Sequence, residues 1–309
     1  MMNNPVWKTV AAALAVATAV SVSSCAQLGV GGGGDSGAAP DAATLKERVV
    51  KAADGAPVLF GSFYGNGTSG GGWVSVLKGS AAERRMLDGS DTSSSDEGWA
   101  AGSMAADAVP YDQVAKAREG VTCQTQGGVT VTFQVTPAGK PWFQSECDQE
   151  TQTQLLDGKA VPELSDPTSA ATLTTLLEEQ KATTGLTQFT EIVISVADTE
   201  LGPTATFAGP GKHAGGECNL SMTRRFTVKG VSEGGVGRPG CETAKGTAYS
   251  LDGASGESLA TAIAAGVKLA GGFKAATIHA GSNGQPVIDV LSDKQGGLAR
   301  VDLQGKPVT

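Results

Sequence analysis

The sequence predicts an α+β fold of two helix-plus-antiparallel-sheet units. Three observations carry that expectation. Three amphipathic helical stretches are each followed by alternating, strand-like runs. Four cysteines bracket two segments of nearly equal length, one in each half of the chain. The phrase Gly-x-Pro-apolar recurs four times, at Gly55-Ala56-Pro57-Val58, Gly139-Lys140-Pro141-Trp142, Gly284-Gln285-Pro286-Val287 and Gly305-Lys306-Pro307-Val308. Gly supplies a positive φ and Pro is tolerated at the first residue of a strand, so the phrase marks turns into strands. The expected organisation is a signal peptide over 1–24, a modified cysteine and tether over 25–40, and units over 41–160 and 161–309. One disulfide-bracketed segment in each unit is the pattern of a duplicated architecture.

The first helix starts near Asp41 as N-cap, turns Leu45, Val49, Val50 and Ala53 inward, and stops at Gly55. The second takes Asp166 as N-cap with Pro167 at its first position, has Leu173, Leu176 and Leu177 as its apolar stripe, and stops at Gly185. The third runs from about Gly256 to Ala270, with Leu259, Ile263, Ala264, Val267 and Ala270 on one side, and ends at Gly271-Gly272. Strands are expected over 58–64, 190–197, 275–279, 287–291 and 298–303. Val129, Val131, Phe133 and Val135 alternate with Thr130, Thr132, Gln134 and Thr136, which gives one buried face. Pro137-Ala138-Gly139-Lys140 turns that strand back into Trp142-Phe143. Residues 88–109 form a polar, acidic run read as a mobile insertion, and its Asp88, Asp91, Asp96 and Glu97 lack the spacing of an EF-hand.

The N-terminus reads as an address. Lys8 precedes fourteen uncharged residues, Thr9 to Val22, the length of a signal h-region and too short to span a bilayer comfortably. The stretch ends in Val22-Ser23-Ser24-Cys25, which resembles the lipobox of bacterial lipoprotein precursors. The resemblance covers residues 1–25 alone. It implies cleavage before Cys25, acylation of its thiol (palmitate among the chains) and a protein held by lipid on the extracytoplasmic face of the cell membrane. Residues 26–40, with Gly31 to Gly34 in a row, suit a flexible tether.

Charge points the same way. The chain of 309 residues carries 23 Lys plus Arg against 31 Asp plus Glu. Cleavage removes Lys8 and no acid, so 22 against 31 leaves −9. No nucleic-acid partner is expected of such a balance, and an anionic membrane surface should repel it. Attachment therefore falls to the acyl chains, at about 0.8 kcal/mol per buried methylene. Export makes Cys123, Cys147, Cys218 and Cys241 candidates for disulfides. The hairpin pattern favours Cys123–Cys147 and Cys218–Cys241, the latter around a strand Arg225-Phe226-Thr227-Val228 and a turn Gly234-Gly235; crossed pairing is the alternative. Each bridge closes a loop of about two dozen residues, worth roughly 3 kcal/mol.

Chemical motifs are weak. Gly34-Asp35-Ser36-Gly37 looks like a trypsin-type nucleophile signature, but it sits in the tether and both histidines, His213 and His279, follow it. Gly65-Asn66-Gly67-Thr68-Ser69-Gly70 satisfies G-x-G-x-x-G, yet Trp73 to Leu77 then reads as a strand where a dinucleotide site needs a helix. Gly209 to Gly216 reads as a surface loop in which Lys212 and His213 could meet an anion. No C-x-x-C occurs, so no metal or other cofactor is expected. Asp107, Asp112, Asp289 and Asp302 form no paired-carboxylate pattern. Trp73, Trp99, Trp142 and Tyr111 are candidates for a recognition surface, with Trp99 foremost. The sequence thus points to a noncatalytic binding or assembly module whose partner is an envelope protein. The alternatives are a carrier of a small hydrophobic ligand or lipid, with a cavity of roughly 300–1,000 Å³, and, last, an envelope hydrolase using His213 or His279.

Overall fold

Alternating apolar and polar residues build two eight-stranded antiparallel arrays, one from each half of the chain. The computed structural model describes residues 41–308, apart from 65–70, 91–92, 96–99, 120, 122, 124–127, 148–149, 197–201, 229–233, 244–245 and 295. Cys25, the GDSG motif, the G-x-G-x-x-G run and Trp99 lie outside the described residues. The fold is α+β and mostly β, with four α-helices among the described residues.

The first sheet has the order β4-β3-β2-β1-β5-β6-β7-β8. Its strands are β1 (Val58–Tyr64), β2 (Gly71–Lys78), β3 (Ala81–Met86), β4 (Ser93–Ser95), β5 (Thr130–Val135), β6 (Pro141–Cys147), β7 (Glu150–Leu156) and β8 (Lys159–Ala160). Helices α1 (Ala42–Ala53) and α2 (Asp112–Arg118) belong to this half. Leu45, Val49, Val114 and Ala117 from the helices share a core with Val74, Val131, Phe133 and Phe143. Asp41 caps α1 by accepting the Thr44 N–H, and Asp54 ends it in the left-handed region. Val50 was expected inward but is 40% exposed, because it falls just past the stripe set by Leu45 and Val49. The short α2 carried too few turns to show a period and was not expected.

The second sheet has the order β13-β12-β11-β10-β16-β17-β18, with β14 also paired to β12. Its strands are β10 (Glu191–Ser195), β11 (Thr204–His213), β12 (Gly216–Arg225), β13 (Gly235–Val236), β14 (Gly240–Glu242), β16 (Ala275–Ala280), β17 (Pro286–Leu291) and β18 (Leu298–Asp302). A two-stranded ladder joins β9 (Gln188–Phe189) to β15 (Tyr249–Ser250). Helices α3 (Ala170–Thr183) and α4 (Gly256–Ala270) share a core with this sheet's inward residues, among them Ile192, Phe207, Ile278, Ile288 and Val301. Ser255 caps α4 in a reciprocal box with Ser258, and Gly271 closes it at φ 79°. All four Gly-x-Pro glycines have φ near +75°, and Pro141 and Pro286 open strands as expected.

Three expectations are corrected. Helix α3 begins one turn later than Asp166-Pro167, because Ser169 accepts the Thr172 N–H while Asp166 closes a separate turn onto Thr168. Gly209 to Gly216 is no surface loop. It lies in the arms and tip of the β11–β12 hairpin, with Gly209, Gly211 and Gly215 where backbone or a side chain comes close; a Cβ on Gly209 would stand 2.1 Å from the Gln188 carbonyl oxygen. Of Arg225 to Val228, Arg225 alone belongs to β12, because the Phe226 and Thr227 amides turn away to the carbonyls of Pro203 and Leu164.

The second part of the 88–109 run is not a free insertion. Ala100 and Ala101 are buried, and the segment is bonded along its length. Gly102 donates to the Val135 carbonyl and Met104 pairs with Val58 in the first half, while Ala100 donates to Pro239 and Ala101 accepts from Ala214 in the second. Gln154 of β7 continues the seam, donating through Nε2 to the Val236 carbonyl and accepting its N–H through Oε1.

Candidate functional site

Both expected disulfides are present, Cys123–Cys147 and Cys218–Cys241. They differ in setting. Cys147 is buried at the end of β6 and Cys123 packs on the first core. Cys218 and Cys241 lie on β12 and β14, whose register pairs Asn219 with Glu242 and Leu220 with Cys241, and Cys241 is exposed. His213, at the end of β11, brings a ring nitrogen within 4.8 Å of both of these sulfurs. Its Nδ1 accepts the Gly215 N–H across the hairpin tip at 3.2 Å. Lys212 extends into solvent and pairs with Glu217 opposite it on β12 at 2.9 Å. Lys212 and His213 thus stand at a strand end with different partners, the lysine's charge answered by the Glu217 carboxylate and His213 set against the disulfide.

His279 stands on the solvent face of the second sheet. Its Nε2 lies 3.0 Å from Asp289 Oδ2 and its Nδ1 3.0 Å from the Ala280 carbonyl oxygen. Both ring nitrogens thus face acceptors, an arrangement that the imidazolium satisfies and the neutral ring does not. Arg300 grips Asp289 with two bonds, at 2.6 and 2.7 Å. Burial pushes the Asp289 carboxyl up, but the bonds from Arg300 and His279 outweigh it and hold the group at about 2. The bond to Asp289 raises His279 above its ordinary value. The folded carboxylate therefore binds protons less readily than the unfolded one, and its stabilisation is complete above about pH 4 and lost as the pH falls toward 2. Replacing Asp289 by Asn should remove this acid-sensitive increment, about 1–2 kcal/mol after allowance for its partial exposure. Urea midpoints from pH 2 to 5 check it; parallel curves for the two proteins would refute it. The His279 increment has the opposite sign, being present at low pH and lost as the pH rises past the folded value.

A third constellation is internal. Arg224 of β12 is fully buried and meets Glu179 of α3 at 2.9 Å through Nε. Its other nitrogens donate to the carbonyls of Arg225 and Pro162. Burial pushes the Glu179 carboxyl up to about 7, against the pull of Arg224.

Of the aromatic candidates, Trp142 is buried in β6 with the Arg238 guanidinium 5.9 Å from its ring. Tyr111 is buried and donates to the Ala106 carbonyl. Trp73 is half-buried beneath Arg84, 4.1 Å away. Trp142 and Tyr111 are therefore interior residues and offer no recognition surface, while Trp73 keeps part of its ring at the surface. A concavity lies elsewhere. A half-open groove of about 420 Å³ runs between the end of α1 and residues 103–107, with Val50, Pro57 and Met104 as its larger apolar walls and Asp107 at its edge. Val50, one of its walls, is itself exposed.

Neither histidine has a serine, threonine or free thiol as a hydrogen-bond partner among the described residues: His279 bonds Asp289 and its own strand, and His213 its own turn. No helix among the described residues is long and apolar enough to cross a membrane. No protein-family model matches the chain, and no curated protein matches it.

Proposed function

We propose that the chain is a lipid-anchored protein of the cell envelope whose folded part binds a partner without catalysis. The groove between α1 and residues 103–107 is the observation that carries this reading. It offers Val50, Pro57 and Met104 as apolar contacts beside Ser103 and Asp107, a mix that suits an apolar side chain of another protein with a polar neighbour. Asp107 gives its rim one negative charge. The anchor rests on the lipobox resemblance at Cys25, with the disulfides in keeping with an oxidising compartment. The carrier of a small hydrophobic ligand is the second reading, favoured by the groove's volume and disfavoured by its open side.

A photo-crosslinker at position 50 of the anchored protein tests the two. The binding reading expects a discrete protein adduct in the envelope, lost on Met104→Arg. The carrier reading expects a lipid adduct. The same adducts from a crosslinker at Lys306, outside the groove, would overturn the assignment.

We also read the two halves as copies of one unit. In support, β3-β2-β1-β5-β6-β7 and β12-β11-β10-β16-β17-β18 match position by position, with a helix ahead of each run of three. The disulfides occupy different places in the two halves, so they are not part of the shared pattern.

A further inference from the structure

We propose that reduction of the Cys218–Cys241 disulfide opens a surface site for Cu⁺, held by the two thiolates and His213. The geometry supports it in three ways. The two sulfurs and a His213 ring nitrogen already lie within 4.8 Å of one another. The cysteine Cα atoms are 5.7 Å apart, close enough for two thiolates to share one ion. Their strands are joined by backbone register at Asn219–Glu242, Leu220–Cys241 and Ser221–Gly240, which does not depend on the S–S bond. Breaking that bond therefore leaves both ligands in place. The Nδ1 lone pair of His213 is engaged in a 3.2 Å contact with the Gly215 N–H, a weak bond that an ion can replace.

The donor set selects the ion. Two thiolates and one imidazole favour Cu⁺ or Zn²⁺ over harder cations. Cu⁺ is satisfied by three ligands, whereas Zn²⁺ calls for a fourth, and no carboxylate belongs to the group. Access also separates this bridge from Cys123–Cys147: Cys241 is exposed, while Cys147 is buried. An exposed disulfide is the one open to exchange. A dithiol donor in the envelope supplies two electrons and two protons, becoming a disulfide itself and leaving Cys218 and Cys241 as thiols. Cu⁺ then displaces both protons.

The test uses the full mature chain with Cu⁺ buffered by bicinchoninate, anaerobically, before and after mild phosphine reduction. Alkylation and mass spectrometry confirm which pair was opened. The expected result is one equivalent of Cu⁺ taken up after reduction and none before. His213→Ala should weaken binding tenfold or more with an unchanged far-UV spectrum, and Cys218→Ser with Cys241→Ser should abolish it. Uptake by that double variant, equal affinity in His213→Ala, uptake of Zn²⁺ without Cu⁺, or no uptake at all would overturn the assignment. Loss of the folded spectrum on reducing this pair would overturn it too, because the ligands would then have no scaffold.

Discussion

Glu179→Ala should destabilise the fold by about 3–5 kcal/mol, the cost of leaving a buried charge unpaired. Arg224 has no access to solvent, so it cannot recover hydration when its partner is removed. Its two remaining bonds, to the carbonyls of Arg225 and Pro162, satisfy donors without neutralising charge. The loss is a large share of the ~5–15 kcal/mol that holds an ordinary domain. Glu179→Gln should cost less than Glu179→Ala, since it keeps an acceptor for the Arg224 Nε–H and gives up only the charge. The double change Glu179→Leu with Arg224→Met should recover most of the loss, because apolar replacement of a whole buried pair is often neutral. Urea unfolding measures all three. A midpoint for Glu179→Ala equivalent to less than 1 kcal/mol would mean that Arg224 finds water in the variant. The elevated Glu179 carboxyl adds a pH signature. The folded state binds this proton more tightly than the unfolded one, so its contribution to stability declines as the pH rises from about 4.5 through 7.

Cys25→Ser should move the chain almost wholly from the membrane to the aqueous fraction. An acidic body on an anionic surface has no electrostatic reason to remain, and no helix among the described residues can span the bilayer. On the proposed anchoring, a serine hydroxyl in place of the thiol removes the acyl acceptor and, with it, all of the methylene burial. Membrane fractionation after a high-salt wash reads the outcome. If the variant sediments with membranes as the native chain does, the lipid is not what holds it.

Much of the frame was legible because local signals coincided with what the backbone needed. The apolar stripe and the terminal glycines of α4 marked that helix's extent, and the repeated Gly-x-Pro phrase marked real left-handed turns. The disulfide pairing followed from each bracketed segment folding back on itself. Where two signals competed, the reading slipped. Asp166 and Ser169 both cap something, and propensity could not say which one starts the helix. Glycine and proline at 209–211 announce a turn, but tertiary packing against Gln188 and Leu220 makes them strand. The candidate sites were least legible. His213, Cys218 and Cys241 meet only through cross-strand register, and Arg224 meets Glu179 across a sheet–helix contact. The Cys218–Cys241 pair could be read from its bracketed segment, but no spacing along the chain brings His213 to it or Arg224 to Glu179. Val50 shows the same limit on a smaller scale: its helical period placed it inward, and one residue's rotation around the axis leaves it exposed at the groove.

The central ladder of each sheet joins distant residues, Phe60 with Gln134 and Ile192 with Ile278. The meanders on either side of each central ladder, β1 to β4 and β5 to β8 in the first sheet, are local and can assemble quickly, but the central ladder must wait for a long chain segment to return. During that delay the inner edges of β5 and β16 display unpaired amides beside Val131, Phe133 and Ile278, the kind of edge that recruits a neighbouring chain. If the chain is exported unfolded, as the proposed anchor requires, it meets this interval on the far side of the membrane, and its yield there should be set by how long those edges stay open rather than by the depth of its final energy minimum.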